Sequence, residues 1–83
     1  MNDLPPFLPS AEHAPLGALV ALSSRQAEVL ELISWGLTDV QMASRLRISP
    51  RTVRMHADEL RKKFNVRHRR ELIPIHKLRS DAV

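Results

Sequence analysis

Cysteine is absent from the 83 residues, so no disulfide framework or thiolate metal site can be built, and a reducing cytoplasm is the natural compartment. Tyrosine is absent too. With one Trp, two Phe and no sustained apolar–polar alternation, strand signals are nearly missing. Glycine occurs only at Gly17 and Gly36, which excludes a glycine-rich phosphate loop. The histidines, His13, His56, His68 and His76, include no pair at the spacing that sets two metal ligands on one helix face. No nucleophile stands beside a base. The expectation is therefore a protein that is not an enzyme and needs no cofactor, metal or small-molecule ligand. No run approaches the ~18 apolar residues of a membrane span. Met1–Ala21 carries Asp3 and no basic residue, unlike the cationic start of a secretory signal. These absences predict a soluble, cytoplasmic protein with no membrane partner. At 9.5 kDa the chain has room for one small domain with a modest core, and none for a separate sensor domain.

What is present is unevenly charged. The formal net charge is +4, but residues 45–79 hold twelve of the thirteen basic side chains against Asp58, Glu59 and Glu71, a local balance of +9. Residues 1–44 carry −4. A basic second half on an acidic first half is the electrostatic footprint of a nucleic-acid binder, while a pair of solvated helix faces would look the same by charge alone.

Four of the six prolines (Pro5, Pro6, Pro9, Pro15) fall in the first fifteen residues, which predicts a flexible leader over 1–21. The domain then occupies 22–79, with a short tail at 80–83. Ser23-x-x-Gln26 is a capping box opening a first helix, with Val29, Leu30, Ile33 and Leu37 inward and Gly36 as its stop. Thr38-x-x-Gln41 is a second capping box, for a short helix with Met42, Ala43 and Leu46 inward. Ser49-Pro50 opens a third with an N-cap hydroxyl and a proline at the first helical position. That helix carries Val53, His56, Leu60 and Phe64 on one face, and Asn65 is its left-handed stop. A fourth spans about 69–78 with Leu72, Ile75 and Leu78 inward. A short helix, a tight turn at Arg47–Ile48 and a longer basic helix make helix-turn-helix geometry within an all-α, compact four-helix domain.

The run LSSRQAEVLELISWGLTDVQMASRLRISPRTVRMHADELRKKFNVRHRREL resembles the LuxR-type (GerE-type) DNA-binding domain of bacterial transcription regulators. That family's pattern reads L-T-x-R-E-x-E-V-L, then G-L-S-N-K-E-I-A-x-x-L-x-I-S-x-x-T-V-K-x-H, then K-L-x-V-x-S-R. It runs without gaps from Leu22 to about Leu72. Arg25, Glu28-Val29-Leu30, Gly36-Leu37, Ala43, Leu46, Ile48-Ser49, Thr52-Val53, His56, Lys63 and Val66 fall on it. Three departures stand out. Gln26 replaces Glu, Glu59 replaces Asn, and His68 replaces the Ser/Asn cap of the fourth helix. Pro74 falls inside that helix as read, where it would remove an N–H bond and clash with the Arg70 carbonyl at ~3 kcal/mol or a kink. The fourth helix is the family's dimer contact, so a monomer or weak homodimer is expected off DNA.

The resemblance implies double-stranded DNA as partner, with base contacts at Arg54, Met55 and Asp58. Arg54 points away from the core stripe, and arginine pairs bidentately with guanine O6 and N7. The bland reading of Arg54 is an ion pair with Asp58 four residues on, worth ~0.2–0.5 kcal/mol. Met55 suits a thymine methyl. Asp58 either accepts from cytosine N4 or pairs with Lys62. Arg51, Thr52, Lys62, Lys63, Arg67 and Arg69 would contact phosphate, which positions the domain without reading sequence. His56, on the core stripe, is expected to pack and hydrogen-bond. Trp35 caps the surface or faces a partner. A second reading is a protein-interaction module that heterodimerises with a larger LuxR-type regulator and antagonises it.

Overall fold

The computed structural model describes residues 20–81. Most of the expected leader and the last two residues of the tail lie outside them. Every regular element among the described residues is helical: α1 Ser24–Ser34, α2 Asp39–Leu46, α3 Pro50–Phe64, a 3₁₀ turn over Arg69–Glu71, and α4 Leu72–Asp81. The all-α, four-helix expectation is met.

Side chains make the helix starts. Ser23 Oγ accepts from the Gln26 amide while Gln26 Oε1 accepts from the Ser23 amide, both at 3.1 Å. Thr38 and Gln41 repeat the exchange at 3.2 and 2.9 Å. Ser49 Oγ accepts from the Thr52 amide at 3.0 Å, and Pro50 takes the first helical position. Each cap contributes ~1 kcal/mol by satisfying donors the helix itself leaves open.

The first three helices also stop by one shared device. Gly36, Arg47 and Asn65 adopt positive φ, at 81°, 59° and 57°. The residue after each sends its amide back five positions, Leu37 to Leu32, Ile48 to Ala43 and Val66 to Arg61, at 3.4, 3.1 and 3.0 Å. Leu37, Ile48 and Val66 are all partly buried against the core. Each helix end is thus hooked inward by one apolar side chain, the contact that commonly accompanies this stop. At Arg47 the device overrides a backbone preference of ~1–2 kcal/mol against left-handed geometry.

The core gathers Val29, Leu30, Leu32 and Ile33 from α1, Met42 and Ala43 from α2, Val53, Ala57 and Leu60 from α3, and Leu72 from α4. α1 packs on both α3 and α4, and α2 packs on α3. The stripe on α3 is centred on Ala57, with His56 and Phe64 only half-buried at its flanks. Leu78, expected inward, is instead 43% exposed.

The fourth helix starts later than its sequence pattern indicated. The Glu71 carboxylate accepts from the amides of Arg67 and His68 at 3.1 and 2.7 Å, tightening Arg69–Glu71 into a 3₁₀ turn. Regular α-helix begins only at Leu72. Pro74 is therefore its third residue, in the first turn, where backbone donors have no intrahelical acceptor in any case. The expected break is absent, and α4 runs on to Asp81. Replacing Pro74→Ala should accordingly move stability by less than ~1 kcal/mol, well short of the ~3 kcal/mol of an interior proline. Leu72→Ala, which empties a fully buried site, should cost ~2–5 kcal/mol. Urea unfolding of the two variants checks both.

Candidate nucleic-acid interface

Because α3 gives Val53, Ala57 and Leu60 to the core, its opposite face is fixed outward. Arg51, Arg54, Met55, Asp58 and Lys62 follow one another along it and line a shallow open groove with Glu59. α3 is 15 residues long, or about 22 Å at 1.5 Å per residue, enough to lie along several base pairs. Met55 is 49% exposed on this face. α2 braces this helix from behind, joined to it by the turn at Arg47–Ser49.

The expected site residues do not share one situation. Arg54 keeps 66% of its side chain exposed, and its Nε lies 3.6 Å from Asp39 Oδ2 on α2. Asp58 is not its partner: Asp58 Oδ1 accepts from Arg61 Nη2 at 2.6 Å. That bond, with burial acting against it and the charges of Arg61, Lys62 and Arg69 adding to it, holds the Asp58 carboxyl below the usual carboxylate range. Arg61 also donates to the Arg67 carbonyl at 2.8 Å, so one guanidinium ties the middle of α3 to the loop beyond it. Arg69 sits against the other oxygen of Asp39, with Nη1 2.5 Å from Oδ1. Arg51, Lys62 and the Arg67 side chain lie on the surface, and the Thr52 hydroxyl shares a 2.9 Å hydrogen bond with Ser49 Oγ.

Lys63 stands apart. Its ammonium donates to the Ala21 carbonyl at 3.0 Å, on the approach to α1, and to Gln26 Oε1 at 2.9 Å, in its first turn. It belongs to a polar cluster that sequence patterns did not reveal. Gln26, buried apart from 9% of its surface, donates through Nε2 to Glu59 Oε1 at 3.2 Å. His56 Nδ1 approaches the same oxygen at 3.3 Å, which fits the packing and hydrogen-bonding role expected of it. The two departures from the family pattern, at positions 26 and 59, therefore meet in space in this chain, the Gln26 amide donating to the Glu59 carboxylate. Only their 33-residue separation hid the link.

Two further cations settle on rings. Arg45 lies over Trp35 at 5.2 Å from the centroid, so the exposed indole is covered from α2. Arg79 lies over Phe64 at 5.5 Å and donates to the Val20 carbonyl at 2.7 Å, fastening the start of the described chain to the end of α4. Asp39, Gln26, Glu59, Arg61 and Glu71 are the residues that organise the site without having been singled out for it.

Glu59 and Glu71 both titrate below the usual glutamate range. For Glu59 the main cause is the Gln26 hydrogen bond, followed after a small opposing burial effect by His56. For Glu71 it is the His68 amide and then, after burial, the Arg67 amide. A carboxylate whose pKa is depressed by folding stabilises the fold fully above its unfolded value, and that contribution is lost as pH falls through the folded one. Stability should thus decline as pH drops below the ordinary value of 4.5. Glu59→Gln and Glu71→Gln should each make that decline shallower, read from melting midpoints between about pH 7 and about pH 3. An unchanged acid limb in both variants would contradict these pairings.

A family model described as bacterial regulatory proteins, luxR family (GerE), matches residues 20–75. The nitrate/nitrite response regulator protein NarP of Escherichia coli (strain K12) is 41% identical over 59 residues, which is 71% of this chain and 26% of NarP. The chain thus spans about a quarter of the length of that relative. No solved structure matches it. The family match covers more than half of the chain and all of α1, α2 and α3. The chain belongs to the luxR family of bacterial regulatory proteins.

Proposed function

We propose that the chain binds double-stranded DNA sequence-specifically and regulates transcription, with α3 lying in the major groove. The observation that carries this reading is the outward face of α3, where Arg51, Met55 and Lys62 are exposed away from the core stripe and Arg54, 66% exposed, flanks them on the side of α2. A helix presenting that face from a helix-turn-helix fits the width of the major groove. Arg54, Met55 and Asp58 would meet base edges. Arg51, Thr52, Lys62 and Arg67 would meet phosphates on either side, while Arg69, first expected among them, is held by Asp39. Lys63, first expected among the phosphate contacts, enters this reading as the support of α1, because its ammonium is already engaged at Ala21 and Gln26. A homodimer through α4, where Ile73 and Leu78 are exposed, remains part of the proposal.

A second reading, a module that pairs with and antagonises a larger LuxR-type regulator, is supported by the acidic partners at the would-be reading face, Asp39 beside Arg54 and Asp58 itself. Anisotropy titrations separate the two. Arg54→Ala should cost ~1–3 kcal/mol on a preferred duplex and much less on a random one. Lys62→Ala should weaken both about equally and flatten the slope of log affinity against log salt by about one unit. Equal losses for Arg54→Ala would make it a phosphate contact. Absence of binding by the parent at ~50 mM salt, where electrostatic affinity is strong, would favour the antagonist.

A further inference from the structure

We infer that Asp39 determines specificity on the DNA-binding reading just given: its carboxylate fixes Arg54 for the base edge and withholds Arg69 from the backbone. Asp39 is the first residue of α2, set in place by the Thr38 cap. Its side chain is only 19% exposed, and its two oxygens face different arginines from different elements, Arg54 on α3 and Arg69 in the 3₁₀ turn. Oδ1 is buried and makes no aligned hydrogen bond, so its contact with Arg69 is an ion pair without the angular fit of a fork.

At Arg54 the geometry is different. Asp39 Oδ2 lies 3.6 Å from Nε, the nitrogen nearest the backbone, which leaves the two terminal nitrogens outside that ion pair. Those are the groups that pair end-on with guanine O6 and N7. A long, mostly exposed arginine would otherwise scatter over many rotamers, and any base contact would have to order it first. The carboxylate does that ordering before DNA arrives. It also cancels one positive charge at the site, and attraction to phosphate alone carries no sequence information. The first effect raises the ratio of specific to random binding, and the second lowers raw affinity on both duplexes alike. The bland role of Asp39, an acidic residue favourable at a helix start, would influence stability but not that ratio.

The decisive comparison uses the full chain, a duplex selected by it from a random pool, and an unselected mixed-sequence duplex. Asp39→Asn should bind the unselected duplex more tightly, with a salt slope steeper by about one unit as Arg69 gains a phosphate. The selected duplex should gain less, so the ratio between them should fall roughly threefold to tenfold, part of what a full base contact supplies. Asp39→Ser, a second way to remove the carboxylate, should act in the same direction if either variant loses helical circular dichroism. In an Arg54→Ala background the same change should leave the ratio where it was. An unchanged ratio in Asp39→Asn, with the parent discriminating between duplexes, would overturn the role of Asp39 alone. A parent that binds neither duplex would overturn the DNA reading beneath it.

Discussion

The burial of Val53, Ala57 and Leu60 on one side of α3 is the constraint from which the remaining architecture follows. Each large side chain taken fully from water contributes ~1.5–3 kcal/mol, and α1 and α2 must both close on this stripe to exclude it. A helix so held cannot rotate. Its outward residues are then as fixed as its inward ones, which is what a surface needs if it is to read anything. The apolar hooks at Leu37, Ile48 and Val66 serve the same end, because they pin the length and phase of each helix against the common core.

Around this frame the few acidic side chains are distributed with economy. Asp39 stands between two arginines, Asp58 takes a third, Glu59 receives an amide and an imidazole, and Glu71 closes the start of a helix on backbone donors. In a chain with such an excess of positive charge, these placements decide which cations face outward and which are absorbed. The basic patch is therefore uneven: Arg51 and Lys62 are open to solvent, while Lys63 and Arg61 hold the protein together.

Local features of the fold were legible in the sequence because they depend on neighbours. The Ser23–Gln26 and Thr38–Gln41 boxes, the Ser49–Pro50 start and the stops at Gly36 and Asn65 involve residues within one or two turns. Arg47 was read only as part of a turn, since nothing in an arginine announces positive φ; the pull of Ile48 into the core supplies the reason. The harmless position of Pro74 is not legible from the pattern, because the start of α4 depends on where the Glu71 carboxylate finds donors. Leu78 followed the helical period but not the core, which does not extend that far along α4. The outward position of Arg54 could be read from periodicity. Its partner could not, because Asp39 reaches it only through the packing of α2 on α3.

The Gln26–Glu59 contact restricts the order in which its two positions can change. With the residue types of the family pattern, Glu at position 26 and Asn at position 59, a chain in this geometry that acquired Glu59 first would set two carboxylates about as close as the 3.2 Å now spanned by a hydrogen bond. Their repulsion would be on the order of 1–4 kcal/mol, depending on how far Lys63 and water screen it. A chain that acquired Gln26 first would pass through two facing amides, which can still hydrogen-bond to each other. The second position is then free to take the charge. Of the two single changes, only the one that begins at position 26 avoids setting two carboxylates face to face across the contact.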